Sequence, residues 1–428
     1  MNLFLEVSLP KHRNGDKIEA MKVRKAYKFE LRPDGEQRRS LARFAGCCRW
    51  LWNSQMALRE DTILSAQSVG AKPDWNHMNY VATTAELARW KRYDVPWLKE
   101  APSQMLQQTL KDFETAWNRC YKGLAKRPRF KKKGQPVGLR FPQGFRLEEG
   151  NRRVMLPKLG WMRYRKSRDI EGTLKNITLR QECGRWYMSV QTEMEVEEPI
   201  HPCPEKSTGI DRGITHFAAL ADGTMIDGPN AMKSRSKQLA RLQRQLARKK
   251  KFSKNWHEQK QRISKLHTRI ARVRADHLHK TSRIICNNHA IVVIEDLKVI
   301  NMSASAKGDT DQHGKNVKAK SGLNRSILDQ GWSEFARQLD YKLTWNGGSL
   351  VEVPAHHTSQ RCSCCGHVEA ENRDGKKFLC LSCGHADDAD VNAAKNIMAD
   401  GLSVAACRGY RFSGPSKQEP AEGATLTA

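Results

Sequence analysis

Two Cys-x-x-Cys pairs, Cys362–Cys365 and Cys380–Cys383, stand 14 residues apart in this chain, each followed directly by glycine. A knuckle of this form turns the backbone so that two thiolates face one metal, and two knuckles close a tetrahedral site. Gly366 and Gly384 permit the tight turn that each knuckle needs. The spacing predicts one structural zinc held by Cys362, Cys365, Cys380 and Cys383. Cys364 could replace Cys362 in a shifted register, and His367 or His385 could compete, but the paired spacing favours the four. A closed site leaves no position for water, so it implies structure and docking rather than chemistry.

The remaining eight of the 12 cysteines (Cys47, Cys48, Cys120, Cys183, Cys203, Cys286, Cys364 and Cys407) show no pairing pattern. In a cytosolic chain this usage favours metal over disulfides. Lysine and arginine number 75 against 46 acids, a formal charge of +29. That balance belongs to proteins that bind a polyanion. No stretch approaches the roughly 20 apolar residues of a spanning helix. The opening Met1-Asn-Leu-Phe-Leu-Glu6 is too short and too soon interrupted for a signal peptide. A cytoplasmic protein acting on nucleic acid, with no membrane partner, is expected. The 428 residues allow two to four domains.

Along the chain, residues 1–20 lack a clear period and read as a loose extension, with Met21 a second candidate start. Residues 22–31 alternate apolar and polar, as a half-buried strand does. Pro33-Asp-Gly35 reads as a turn. Residues 36–66 and 102–124 read as amphipathic helices, the second carrying Met105, Leu106, Leu110, Phe113, Trp117 and Tyr121 as a core stripe. Residues 126–133 place six bases in eight positions around Pro128 and Phe130, which suits either a solvated loop or a nucleic-acid contact. Residues 137–195 are strand-rich. Thr208–Asp211, Thr215–Leu220 and Thr224–Ile226 form a strand meander turning at Asp222-Gly223. Residues 231–283 predict two long helices broken near Phe252-Ser-Lys-Asn255, where serine or asparagine could cap the second. This segment holds 18 Lys and Arg against two acids, and a bound polyanion would relieve the self-repulsion. Ala290–Ile294 suits a strand buried on both faces. Residues 303–323 read as a polar loop or lid, 326–345 as one helix and Ser349–Val353 as a strand. A disordered tail is expected after about Gly414.

Three carboxylates lie at element boundaries: Asp211 in Gly-Ile-Asp-Arg-Gly, Glu295 in Val-Val-Ile-Glu-Asp-Leu and Asp390 in Asp-Val-Asn-Ala-Ala. Singly, Asp211 suits a turn and Asp390 a helix cap. Glu295 ends an apolar strand, where an unpaired charge is costly. Asp296, Asp387 and Asp388 are rivals. Jointly, two strand ends and one helix start can bring three carboxylates to one edge of a mixed sheet. There they can hold two magnesium ions about 4 Å apart, one activating water and one stabilising the leaving oxygen.

These motifs, with Thr358-Ser-Gln-Arg-Cys-Ser-Cys-Cys-Gly366, Cys-Leu-Ser-Cys-Gly and Asp-Val-Asn-Ala-Ala-Lys-Asn-Ile, resemble the TnpB (OrfB) proteins of insertion sequences, compact relatives of type V CRISPR effectors. Lys25-Ala-Tyr-Lys-Phe-Glu-Leu31, Gly46-Cys-Cys-Arg-Trp50, Trp52-Asn53 and Pro128-Arg-Phe-Lys-Lys-Lys133 carry the same likeness, which covers roughly residues 21–410. It implies an α+β and α/β multidomain chain. A wedge-type β-barrel (21–34 and 126–204) would be interrupted by a helical recognition domain (35–125). A RuvC-type, RNase H-like nuclease domain (205–356 and 386–413) would be split by a zinc ribbon (357–385), and 414–428 would be a disordered tail. The implied partners are a transposon-derived guide RNA and double-stranded target DNA; base pairing would supply sequence while the basic protein holds the backbone. The implied catalytic acids and magnesium ligands are Asp211, Glu295 and Asp390. Arg212, the extra acids at 387–388 and the 1–20 extension depart from the family pattern, but no catalytic acid is missing. A nuclease-inactive RNA-guided binder and a guide-free transposase are the alternatives.

Overall fold

The computed structural model describes residues 21–407 except 74, 76, 77, 136, 198, 309–312, 356 and 357. The expected extension at 1–20 and tail at 414–428 lie outside the described residues, as does part of the expected loop at 303–323. Contacts divide the chain after Glu197 into two units. No helix among the described residues is long and apolar enough to cross a membrane.

The first unit opens with β1 (Met21–Arg32), whose alternation buries Val23, Tyr27, Phe29 and Leu31. The helix α1 (Gly35–Ser68) follows at once. The residues expected to turn instead start it: Asp34 Oδ1 accepts from the Gln37 nitrogen at 2.8 Å and Gln37 Oε1 accepts from the Asp34 nitrogen at 3.1 Å. This reciprocal capping box satisfies two donors that would otherwise be orphaned. A short helix not anticipated from the sequence, α2 (Tyr80–Arg89), is capped by Asn79. In α3 (Ser103–Tyr121) the stripe Met105, Leu106, Leu110, Phe113 and Trp117 is buried as expected, but Tyr121 is exposed.

The strands β2 (Leu139–Phe141), β3 (Arg146–Glu148), β4 (Arg153–Leu156), β5 (Gly160–Arg165), β6 (Thr173–Glu182) and β7 (Arg185–Val196) join β1 in one antiparallel sheet. Its order is β2-β6-β7-β1-β5-β4-β3. Among the described residues the ladder does not close: β2 and β3 are its edges, and the sheet forms a half-barrel. Leu41, Phe44 and Leu51 of α1 and Leu106 and Leu110 of α3 share one core with Leu139, Ile177 and Met188 of the sheet. The basic run at 126–133 is not a free loop. Trp52 Nε1 donates to the Arg129 carbonyl, Asn53 bonds both the nitrogen and the carbonyl of Lys131, and the Lys131 ammonium lies 3.5 Å from the Trp52 ring centroid.

In the second unit, β8 (Ser207–Asp211), β9 (Ala218–Leu220) and β10 (Met225–Ile226) form the expected meander. The basic hairpin follows as α4 (Ser236–Ala247) and α5 (Lys254–Asn288), with Ser253 capping α5. Then come β11 (Ile291–Glu295) and the short α6 (Val299–Met302). α7 (Val317–Gln330) starts inside the segment expected as a loop. The single helix expected over 326–345 is broken between α7 and α8 (Trp332–Asn346) by Gly331 at φ 76°. A side chain there would combine a left-handed backbone with crowding by Arg274 and Leu278. The unit is completed by β12 (Ser349–Val353), by β13 (Arg373–Asp374), β14 (Lys377–Leu379) and β15 (Ala386–Asp388) of a small three-stranded sheet, and by α9 (Ala389–Cys407).

The main sheet has the order β10-β9-β8-β11-β12, with β8, β11 and β12 mutually parallel. All five residues of β11 are buried, as its continuous apolar run predicted. Ile210, Val292 and Ile294 pack toward α5 and α8 through Leu278, Ile285, Phe335 and Leu339. Val293 and Val351 pack toward Ile397 and Ala405 of α9 on the other face. α9 approaches so closely that a Cβ at Gly209 would lie on the Ala394 carbonyl and 2.5 Å from the Met398 nitrogen. Glycine is required there, because the contacting atoms are backbone and cannot move aside.

Candidate functional site

The four-cysteine segment builds its site from two copies of one turn. In the first, the Cys362 nitrogen donates to the His367 carbonyl and the Gly366 nitrogen to the Cys362 carbonyl; Cys380, His385 and Gly384 repeat the pattern. Gly366 and Gly384 sit at φ 80° and 71°. The four Sγ atoms lie within 4.8 Å of one another. The cross-knuckle pairs Cys362–Cys383 and Cys365–Cys380 are 3.7 and 3.6 Å apart. Tetrahedral zinc with bonds of about 2.3 Å needs thiolates about 3.8 Å apart, so the donor set fits that ion, and the separations are far from a disulfide. Of the rivals, Cys364 is exposed and outside the group, while His367 pairs with Glu369 at 2.9 Å.

The three acids are positioned by separate elements. Ile294 of β11 faces Ile210 of β8 in parallel register. The next residues, Glu295 and Asp211, therefore fall side by side at the carboxyl ends of strands roughly 4.8 Å apart. Asp390 comes from the first turn of α9. Its expected capping role is taken by Asp388, whose Oδ1 accepts from the Asp390 nitrogen at 2.9 Å, leaving the Asp390 carboxylate free of that duty. Asp211, Glu295 and Asp390 line one cleft of about 420 Å³. Burial, and then the neighbouring Glu295 and Asp390, push the Asp211 carboxyl up to about 7. Three clustered acids repel unless a cation joins them, and an all-oxygen donor set suits a hard divalent ion such as magnesium. The rival acids are occupied elsewhere: Asp296 pairs with Lys298, and Asp387 with Lys395 at 2.7 Å.

The sequence reading missed two side chains in this cleft. Thr358 is buried and its Oγ1 donates to Glu295 Oε1 at 2.6 Å. The Thr358 carbonyl accepts from Asn396 of α9 at 2.9 Å, and Asn396 and Asn392 together grip the Arg361 carbonyl. Asn392 also accepts from the Ser363 nitrogen inside the first knuckle, at 2.9 Å. One face of α9 thus ties the knuckle and the Thr358 strap to the helix that carries Asp390. Arg373 of β13 donates to Asp390 Oδ1 at 3.2 Å and draws Asp211 downward against its burial. Thr358 opens a motif already visible in the sequence, but spacing alone does not aim its hydroxyl. Arg373 carries no such signal. Arg212, buried beside Asp211, donates to the Glu295 carbonyl, and burial lowers its guanidinium below the ordinary value.

Family models match residues 189–306 (OrfB_IS605, described as "Probable transposase"), 332–397 ("Cas12f1-like, TNB domain") and 21–66 ("Helix-turn-helix domain"). The last match spans β1 and the single helix α1. The chain is 49% identical over 411 residues to the "Putative RNA-guided DNA endonuclease InsQ" of Escherichia coli, covering 95% of this chain and 100% of that protein. It is 31% identical to a "Putative RNA-guided DNA endonuclease" of Streptomyces pristinaespiralis, over 90% and 91% of the two chains. Among solved structures, the mini-RNA-guided endonuclease CRISPR-Cas_phi3 matches with a TM-score of 0.42 at 11% identity, over 92% of this chain and 94% of that one. A Cas12f1–sgRNA–target DNA complex matches with a TM-score of 0.32 at 15% identity, over 88% and 99%. The chain belongs to the TnpB (OrfB) family of insertion-sequence proteins.

Proposed function

We propose that this chain is a transposon-associated, RNA-guided DNA endonuclease that hydrolyses phosphodiesters in a RuvC-type cleft. The observation that carries the reading is the convergence of Asp211, Glu295 and Asp390, from two parallel strand ends and a helix start, on one cleft. The five-stranded sheet with α9 on one face and α5 and α8 on the other would be the nuclease domain. The four-cysteine segment would be its inserted zinc ribbon, and the half-barrel with α1 and α3 would be the wedge and recognition parts. The near-complete match to relatives named as RNA-guided DNA endonucleases supports guide RNA and target duplex as the partners.

Asp211, Glu295 and Asp390 would hold magnesium, which supplies Lewis-acid stabilisation and an activated water when bound. The chain's own residues prepare that site. Thr358 fixes one oxygen of Glu295 and so selects which oxygen faces the cleft. Arg212 anchors the backbone at Glu295. Arg373 partly neutralises the trio. Cys362, Cys365, Cys380 and Cys383 would hold zinc as a closed structural ion.

The test is co-purification with the RNA of the element's end, followed by incubation with a matched plasmid in magnesium. Cutting by the wild type, its loss in Asp211→Ala, and retained target binding by that variant are expected. Retained cutting by Asp211→Ala would reject the assignment. Tight target binding by the wild type without nicking would favour an inactive RNA-guided binder. Absence of a homogeneous bound RNA would favour a guide-free transposase.

A further inference from the structure

The turn between α4 and α5 presents an aromatic side chain largely to solvent. Phe252 is 78% exposed and sits at φ 66°, a left-handed conformation that costs a side-chain-bearing residue backbone energy. It takes no part in the hairpin's own apolar contact, where Leu266 and Ile270 meet Leu239 and Leu242. The turn that holds it is well made. The Ser253 nitrogen donates to the Lys250 carbonyl, and Ser253 Oγ accepts from the Trp256 nitrogen at 3.2 Å. Trp256 stands next to it, with ring centroids 5.6 Å apart, and Lys260 lies 5.1 Å from the Trp256 ring. Arg248, Lys249, Lys250 and Lys251 precede the ring without interruption and Lys254 follows it.

An exposed ring framed by cations suits one partner chemistry above others. Phosphates answer the lysines, and the face of an unpaired base answers the ring. A duplex hides its base faces, and a protein partner would have to be strongly acidic around a single apolar contact. We propose that the α4–α5 tip, through Phe252 with Trp256 beside it, is a stacking platform for an unpaired nucleotide of the bound nucleic acid. The proposal rests on the nucleic-acid reading above and adds a specific contact outside the acidic cleft.

The experiment uses the full chain with its RNA and a matched target. p-Benzoylphenylalanine placed at position 252 should crosslink to unpaired nucleotides, and sequencing the adduct distinguishes guide RNA from displaced DNA strand as the source. Phe252→Ala and Phe252→Leu should each weaken binding of that strand about tenfold, while Phe252→Trp retains it. The dependence on salt should stay unchanged in these three and become shallower in Lys250→Ala/Lys251→Ala. Crosslinks confined to paired nucleotides or to protein would overturn the platform, as would wild-type affinity in Phe252→Leu. In either case wild-type cutting leaves the nuclease reading standing. A wild type that binds no RNA or DNA overturns both.

Discussion

Asp211→Asn should make this protein more stable in the absence of magnesium, and the gain should depend on pH. The folded chain holds the Asp211 carboxyl at about 7 against an ordinary 3.8, first through burial and then through Glu295 and Asp390. At 1.36 kcal/mol per pH unit, keeping the group ionised in the folded state costs about 4 kcal/mol above pH 7. The sign follows from linkage. A raised folded value means that the contribution to stability is fully present below the unfolded value and is lost as pH rises through 7. Asparagine keeps the shape and removes the charge, so it recovers part of that cost, about 2 kcal/mol allowing for its own desolvation. In a unit of this size that corresponds to roughly 4–8 °C in Tm. The assay is thermal unfolding followed by circular dichroism, in buffer freed of magnesium by gel filtration, with zinc content checked. At pH 8 the variant should melt above the wild type, and the gap should close toward pH 5. Magnesium or manganese should raise the wild-type Tm and leave the variant nearly unmoved. A variant that melts at or below the wild type at pH 8, or a gap independent of pH, would refute the idea that the acids are held in mutual strain for a cation.

Three further outcomes follow from named contacts. Thr358→Val removes the 2.6 Å bond to Glu295 at nearly constant volume; manganese affinity measured by electron paramagnetic resonance should fall about tenfold, while Thr358→Ser restores it, since such a charge-assisted bond is worth roughly 1.5–3 kcal/mol. Gly209→Ala forces a methyl group onto the Ala394 carbonyl of α9; the urea midpoint should drop by the equivalent of about 3 kcal/mol or the chain should fail to fold, and an unchanged midpoint would contradict the close packing. Cys380→Ser should lower metal analysis from one zinc per chain to none and expose the 358–383 segment to protease, because the buried cluster at its knuckles is only Cys362, Cys380, Phe378 and Ala389 among the described residues; zinc retained at full stoichiometry would show that another ligand substitutes.

What could be read in the sequence, and what could not, divides along the range of the forces involved. The strands β8, β11 and β12 and the Ser253 cap of α5 announce themselves through neighbours in sequence. So do the knuckle glycines, whose backbone demand is local. The break at Gly331 lies in its left-handed backbone, while the apolar period runs through it; crowding by Arg274 and Leu278 across the fold bears on what could replace the glycine, and no local count contains that. The miss at Asp34 is a local one: Pro-Asp-Gly suits a turn and a capped helix start equally, and Gln37, three residues on, closes the box. The acids were legible as a set because each sits at an element boundary, and parallel register then brings Asp211 and Glu295 together without further help. Thr358 and Arg373 were not, because their partners are Glu295 and Asp390 in other elements, and nothing in their own neighbourhood requires an acid opposite. The asymmetry is physical. Residues that would hold an ion are constrained by chain geometry, whereas residues that aim those ligands are constrained only by the finished packing. Variation at Thr358 and Arg373 should therefore tune the cleft while leaving the fold intact, and variation at Gly209 should not.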